Sequence, residues 1–74
     1  MEITTILKNL RTDNDLSQAE VAAIISVAQR TYADYESGNV RIPIDALTKL
    51  AKFYDVDMNY ISGISNVKKH FPKS

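Results

Sequence analysis

Apolar residues recur at helical spacing along most of this 74-residue chain, and this periodicity constrains its fold more than any other feature. The clearest stretch is the first, where four apolar residues at positions i, i+3, i+4 and i+7 form one stripe of a helix: Ile3, Ile6, Leu7 and Leu10. No segment alternates strictly enough between apolar and polar residues to predict a strand. The pattern therefore predicts an all-α fold with a single core, since a chain of this length has room for only one.

Turn and capping residues predict where the first three helices begin and end. Residues 13–15 interrupt the first helix, because Asp and Asn side chains bond to their own backbone in turns. Ser17 followed three residues later by Glu20 is a capping box, which predicts the start of the second helix. A third helix is predicted over residues 28–37, and Gly38 suits the left-handed cap that would end it.

The rest of the chain predicts two further helices and a tail. Pro43 is expected at the first position of the fourth helix, which its fixed φ suits. Asp57 is expected to cap a short fifth helix that stops at Gly63. We expect one domain over residues 1–64, followed by a flexible tail over residues 65–74.

Composition and charge narrow the classes of function. The chain has no cysteine and one histidine, so we expect neither a metal nor a cofactor. No nucleophile–base pair, carboxylate pair or metal cluster predicts an enzyme. Nine basic and nine acidic residues cancel, which argues against a protein that coats nucleic acid without sequence preference. A specific binder with its few cations on one face remains open.

Nothing in the sequence predicts a membrane segment. The longest apolar run, residues 21–25, is far too short to span a bilayer. The residues after Met1 lack the basic and then apolar pattern of a signal peptide. We therefore expect a cytoplasmic protein.

The second and third helices are predicted to be joined by a very short connection, about two to four residues long. We predict this helix-turn-helix over about residues 17–36. A tight pair of this kind is typical of DNA-binding proteins, where the second helix of the pair enters the major groove.

Four short motifs follow one another along the chain: residues 16–22 (LSQAEVA), residues 35–38 (YESG), Pro43 with residues 50–52 (LAK), and residues 56–63 (VDMNYISG). In this order and spacing they resemble the Cro/CI (XRE) family of helix-turn-helix transcriptional regulators, over about residues 6–63. The resemblance implies a compact five-helix, lambda-repressor-like DNA-binding domain. It also implies that the third helix lies in the major groove while the second crosses the phosphate backbone.

The chain departs from the family pattern at two positions. Ser26 stands in the turn where the family usually has glycine, and a left-handed serine there would cost about 1 kcal/mol. Ala28 stands where the family usually has a Ser or Thr cap before the third helix, which removes a cap worth about 1 kcal/mol. Both departures are expected to lower stability without altering the DNA-binding face.

Candidate base contacts follow from placing Tyr32 and Tyr35 in the core. The opposite face of the third helix then carries an outward stripe: Gln29, Arg30, Ala33, Asp34 and Ser37. Arg30 is expected to bond guanine O6 and N7, and Gln29 adenine N6 and N7. Asp34 is expected either to accept from cytosine N4 or to repel phosphate and set the register. For each of them, an ordinary solvated helix face is the alternative.

Phosphate contacts are expected from residues that flank this stripe. Gln18 matches a backbone-contact position of the family, in the first turn of the second helix, where free amides favour phosphate. Thr31, Asn39 and Arg41 are expected to add contacts at the edge of the third helix and in the loop after it. The alternative for Gln18 is an ordinary exposed residue of the first turn, and the alternative for Arg41 is a solvated loop charge.

The resemblance also assigns residues to structure rather than to DNA. The family pairs a basic residue near the end of the first helix with the Glu of its third helix, and Arg11 and Glu36 occupy these positions. We expect a partly buried ion pair, and removing either partner would strand the other charge at a cost of several kcal/mol. Three tyrosines are expected in the core, rather than on a surface where bases of single-stranded nucleic acid would stack: Tyr32, Tyr35 and Tyr54. We interpret a further group as a self-association surface: Tyr60, Ile61, Ile64 and Phe71.

The resemblance implies a sequence-specific regulator of transcription that binds double-stranded DNA. The expected form is a bacterial or phage-encoded repressor, associated with the nucleoid, that occupies an inverted-repeat operator as a homodimer. Half-sites would lie roughly 34–36 Å apart. The alternative is an antitoxin-type module that binds a protein partner as well as DNA, although no segment of the tail looks suited to wrapping a toxin.

Overall fold

Five α-helices make up the part of the chain that a computed structural model describes, residues 2–72, and this part contains no strand. In chain order they are α1 (Ile3–Asp13), α2 (Gln18–Ile24), α3 (Gln29–Ser37), α4 (Ile44–Tyr54) and α5 (Met58–Ile61). The prediction of an all-α, five-helix fold is confirmed. Residue 1 of the predicted domain and residues 73–74 of the predicted tail lie outside the described residues.

The core lies where the apolar faces of all five helices meet. Each helix contributes at least one side chain that is almost wholly excluded from solvent: Ile6, Leu7, Val21, Tyr32, Leu50 and Ile61. Burying an aliphatic side chain of this size stabilises the fold by about 1.5–3 kcal/mol. Packing of this kind, more than helix propensity, therefore holds helices as short as these.

The burial of Ile61 corrects one expectation from the sequence. Ile61 has no exposed surface and packs inside the domain, so the expectation that it belongs to a self-association surface is wrong. The other three residues of the expected surface are more accessible, since Tyr60 and Phe71 are half-buried and Ile64 is exposed.

The capping box predicted at the start of α2 is present with both of its hydrogen bonds. Ser17 Oγ accepts from the backbone N–H of Glu20 at 3.1 Å, and Glu20 Oε1 accepts from the backbone N–H of Ser17 at 2.9 Å. Two amides that the helix itself cannot satisfy are thereby paired. Asp57 caps α5 as predicted, since its Oδ1 accepts from the N–H of Tyr60 at 2.8 Å.

The connection between α2 and α3 turns through a left-handed serine. Ser26 has φ +60°, its N–H donates to Ala23 O at 3.2 Å, and the next N–H, of Val27, donates to Ala22 O at 2.9 Å. This is the Schellman arrangement, which usually places glycine at the left-handed position. Ala28 then precedes α3 without a side-chain cap. Both expectations for these positions are confirmed, since Ser26 is left-handed and Ala28 provides no side-chain cap.

Pro43 lies one position outside the helix that it was expected to begin. Its φ of −64° suits a helix, but its ψ of 152° is extended, and its carbonyl accepts the first intrahelical bond, from Leu47 N–H at 3.0 Å. Pro43 is therefore the N-cap, and α4 begins at Ile44. The prediction of Pro43 at the first helical position is wrong by one residue.

The described part of the predicted tail lies against the end of α4. Asp55 Oδ2 and His70 Nδ1 are 2.6 Å apart, and Phe71 donates its backbone N–H to Asp55 Oδ1 at 3.2 Å. Phe71 packs half-buried against the core. The flexibility of residues 65–74 stays a prediction.

Candidate nucleic-acid interface

The third helix has one side in the core and one side in solvent. Tyr32 is wholly buried and Tyr35 nearly so, and together they fix how α3 is rotated about its axis. The predicted stripe accordingly faces outward. Its exposed members are Gln29, Arg30 and Ser37, and its half-buried members are Ala33 and Asp34.

The side chains that lead this stripe are not engaged elsewhere. Neither Gln29 nor Arg30 forms a side-chain hydrogen bond or an ion pair with another residue in the described part of the chain. Both stand at the start of α3, directly after the turn from α2, so they project from the end of the helix nearest that turn. The polar groups of these two side chains are exposed and unpaired, so they are available to a ligand.

A bidentate ion pair fastens α1 to α3 behind this face. Arg11 Nε donates to Glu36 Oε2 at 2.8 Å and Arg11 Nη2 donates to Glu36 Oε1 at 2.9 Å. Arg11 Nη1 also donates to Leu16 O at 2.9 Å, in the loop before α2. The side chains are only 15% and 6% exposed, respectively. The predicted partly buried pair is confirmed, and it ties three segments to one guanidinium.

The surroundings of this pair keep both of its groups charged. Burial on its own would raise the pKa of Glu36, but the two hydrogen bonds and the positive charge of Arg11, with the nearby polar groups of Tyr32 and Gln18, outweigh it, so the pKa lies below its ordinary value. The hydrogen bonds to Glu36 raise the pKa of Arg11. Burial, reinforced by the negative charge of Glu36, raises the pKa of Tyr32 well above its usual range. The tyrosine therefore stays neutral.

Gln18 stands where α2, α3 and the ion pair meet. It is the first residue of α2, it is half-buried, and its amide contributes to the low pKa of Glu36. With Ala33 and Ser37 it lines a groove beside the stripe on α3. Of the predicted phosphate contacts, Gln18 is thus the one that adjoins both helices of the pair.

The other three predicted phosphate contacts lie at the two ends of α3. Thr31 is half-buried in the first turn of the helix, whereas Asn39 and Arg41 are exposed in the loop between α3 and α4. Arg41 lines a second groove together with Val40, at the side of the domain where α1 begins. The structure therefore places Thr31 near Gln29 and Arg30 at the start of α3, whereas Asn39 and Arg41 follow Ser37 at the opposite end of the helix.

Lys8 is a residue near this face that the sequence interpretation missed. It is exposed on α1 and lines the same groove as Gln18, Ala33 and Ser37. The available signal was its spacing, because Lys8 precedes Arg11 by three residues and so shares its side of α1. The packing of α1 against α3 brings that side up to the stripe.

Residues 2–72 contain neither a metal-binding cluster nor a membrane-spanning helix. No group of three or more His, Cys, Asp or Glu residues there could hold a metal ion. No helix in this part is both long enough and apolar enough to cross a bilayer.

Residues 7–61 match the helix-turn-helix family HTH_3. The matched span includes the whole of the α2–turn–α3 unit and nearly all of the core. The chain belongs to this family. The predicted membership of its XRE branch is confirmed, and the family is one of DNA-binding regulators rather than enzymes.

Curated relatives of this XRE-type domain include three regulators. It is 35% identical over 60 residues to the uncharacterized HTH-type transcriptional regulator YobD of Bacillus subtilis, covering 81% of this chain and 54% of YobD. It is 44% identical over 50 residues to the cryptic phage CTXphi transcriptional repressor RstR of Vibrio cholerae, covering 68% and 45%. It is 32% identical over 68 residues to the HTH-type transcriptional regulator AnsR of B. subtilis, covering 92% and 59%. The chain thus spans about half the length of these relatives.

A solved structure supports the fold. The crystal structure of a transcriptional regulator from Listeria innocua superimposes with a TM-score of 0.82 at 24% sequence identity. The match covers 89% of this chain and 62% of the Listeria chain. It shows that the five helices are arranged in a fold that is already known.

Proposed function

We propose that this chain binds double-stranded DNA in a sequence-specific manner and thereby regulates transcription. In this proposal α3 enters the major groove and α2 crosses the phosphate backbone. The observation that carries it is the pair Gln29 and Arg30, exposed and unengaged on a helix whose rotation two buried tyrosines fix. The relatives' names, which describe transcriptional regulators and a repressor, support it.

The outward side of α3 supplies the base contacts. Arg30 carries a planar fork of donors that matches guanine O6 and N7, and the amide of Gln29 matches adenine N6 and N7. Asp34 has acceptors for cytosine N4. Each bidentate pair discriminates against the wrong base by about 1–3 kcal/mol.

Residues around this stripe supply the phosphate contacts. Gln18 and Thr31 stand at the starts of α2 and α3, on the side of the domain that would face the backbone. Asn39 and Arg41 follow the far end of α3 and would contact the backbone beyond it. Contacts of this kind fix the position of the domain on the duplex but read no sequence.

The chain works as a homodimer that represses by occupying an inverted-repeat operator in the nucleoid, within the cytoplasm. One short helix reads few base pairs, and a formal net charge of zero supplies little non-specific attraction. Pairing two domains doubles both contributions. Repression needs nothing more than occupancy of the promoter, and the relative RstR is named a repressor.

Selection of bound sites from random duplex DNA tests this proposal. We expect a short palindromic consensus whose half-sites are about one helical turn apart. Titrations with the selected duplex and with a shuffled duplex of the same composition should then differ by at least about a thousandfold in affinity. Recovery of no consensus, or equal binding of the two duplexes, would contradict the proposal.

A further inference from the structure

A groove between α1, α2 and α3 opens beside the stripe on α3. It encloses about 340 Å³ and is lined by residues from all three helices: Lys8, Arg11, Gln18, Ala33, Glu36 and Ser37. Ala33 and Ser37 belong to the stripe that the proposed function places in the major groove. The groove therefore lies at the edge of the face that would contact DNA.

Charge in this groove comes from a single side chain. Arg11 and Glu36 neutralise one another through their two hydrogen bonds. Lys8 is exposed and forms no ion pair with any other residue within 2–72. The groove accordingly carries a net charge of one positive unit, located on the Lys8 ammonium.

The position of this ammonium suits a phosphate of the DNA backbone. A helix seated in the major groove has a phosphate strand on either side, because the groove is only about 12 Å wide. The strand on the α2 side would pass Gln18, and the groove that Lys8 lines begins there. A lysine is a compact charge with three donors and accepts a phosphate in many orientations.

We propose that Lys8 binds a backbone phosphate in this groove, so that α1 takes part in DNA binding alongside α2 and α3. This inference rests on the proposed function. The contact contributes affinity that is independent of sequence and sensitive to salt, because it releases a counterion rather than reading a base.

Replacing one lysine at a time tests this assignment. Lys8→Ala is compared with Lys49→Ala, an equal loss of charge at an exposed position of α4, a helix that contributes nothing to the groove. The measured quantity is the dissociation constant for the selected and the shuffled duplex at several salt concentrations. Lys8→Arg serves as the variant that keeps the charge, and thermal unfolding checks that each variant folds.

Lys8→Ala is expected to weaken binding of both duplexes by the same factor and to reduce the slope of log K against log salt by about 0.9. The factor by which Lys8→Ala binds more weakly than the wild type then shrinks about 3.5-fold between 50 and 200 mM salt. Lys49→Ala should leave the slope unchanged, and Lys8→Arg should restore it.

The inference and the proposed function fail in different ways. If Lys8→Ala and Lys49→Ala give the same slope while the wild type prefers the selected duplex, Lys8 binds no phosphate and the proposed function stands. If the wild type binds neither duplex, or binds both equally, the proposed function is overturned and the role of Lys8 as a partner of an operator is overturned with it.

Discussion

Arg30 and Arg41 are both exposed cations, but their positions predict different contributions to binding. Arg30 stands in the first turn of α3 among the residues proposed to contact bases, whereas Arg41 lies in the loop beyond the helix. Arg30→Ala should therefore weaken binding to the selected duplex by about 1–3 kcal/mol and remove the preference at one base position. Arg41→Ala should weaken all sequences alike and lower the salt slope by about 0.9.

Repeating the site selection with each variant measures the difference. The assignment of Arg30 is wrong if the Arg30→Ala consensus keeps every position of the wild-type consensus. The assignment of Arg41 is wrong if its variant changes the consensus, or if its salt slope equals that of the wild type.

Glu36 should make the stability of the domain depend on acid. Its pKa is lower in the folded chain than its ordinary value of 4.5, because the bonds from Arg11 outweigh the effect of burial. A carboxylate of this kind contributes stability above pH 4.5, and the contribution is lost as the pH falls through the folded pKa. Glu36→Gln should therefore lower the free energy of unfolding by about 3 kcal/mol at pH 7. The difference between the variant and the wild type should narrow as the pH falls below 4.5, and it should close only once the pH has passed the folded pKa of Glu36.

Denaturant unfolding at a series of pH values measures this effect. Asp13→Asn is the control, since Asp13 is exposed and makes no ion pair with another residue of the described chain. A constant difference between Glu36→Gln and the wild type from pH 7 to pH 3 would show that the ion pair is not the source of the acid sensitivity.

The sequence could predict only those parts of the candidate site whose placement depends on a single helix. The spacing of Tyr32 and Tyr35 sufficed to place Gln29 and Arg30 on the outside, because rotation about a helix axis is a local property. Lys8 was missed, because its spacing from Arg11 places it on the same side of α1 but does not by itself show that α3 packs beside that side. The Arg11–Glu36 pair, 25 residues apart, was found through the family pattern and not from the residues themselves.

At the scale of elements, three helices end in the same way and without glycine. Asp15, Ser26 and Asp55 are all left-handed, and the residue after each donates its N–H to the carbonyl five positions before it. Glycine adopts this conformation at no steric cost, whereas other residues pay about 1 kcal/mol or more. The domain therefore carries removable strain at the ends of α1, α2 and α4.

Ser26→Gly should raise the free energy of unfolding by about 1 kcal/mol, because it relieves the strained turn between α2 and α3. Ser26 is exposed, so the change removes no buried contact. Urea unfolding measures the gain, and Ser26→Ala is the matched control that loses the hydroxyl but keeps the Cβ. Equal stabilities of the Gly and Ala variants would show that the left-handed conformation carries no strain.

Element boundaries were predictable where side chains cap the backbone. Side chains that cap a helix accept hydrogen bonds from amides three residues away and so predict where the helix begins. The structure contains these bonds at Ser17, Glu20 and Asp57. Pro43 was misplaced by one residue, because its ring fixes φ but leaves open whether ψ is helical or extended. The contact of Phe71 with the end of α4 joins residues 16 positions apart, so rules based on neighbouring residues could not predict it.

At the scale of the whole molecule, the charge balance bears on the proposed function. Nine basic and nine acidic residues cancel, so the proposed DNA binding would draw its affinity from the placement of individual groups and from the proposed pairing of two domains. That pairing would need a second, apolar surface away from α3. Ile64 is the most exposed of the large apolar side chains in the described chain, at 80%, and it follows α5 beside the half-buried Tyr60.

Ile64→Asp should therefore weaken self-association and, with it, binding to the palindrome, while leaving binding to a single half-site unchanged. A charge placed in an apolar interface costs several kcal/mol, whereas the same charge in solvent costs nothing. Ile44→Asp is the matched control, because Ile44 is also an exposed isoleucine, at 66%, but stands at the start of α4. Sedimentation equilibrium gives the association constant of each variant, and titration of both duplexes gives its consequence for DNA. If the two aspartate variants behave alike, the surface around Ile64 is not where two copies meet, and the pairing that the palindrome requires has to use another face of the domain.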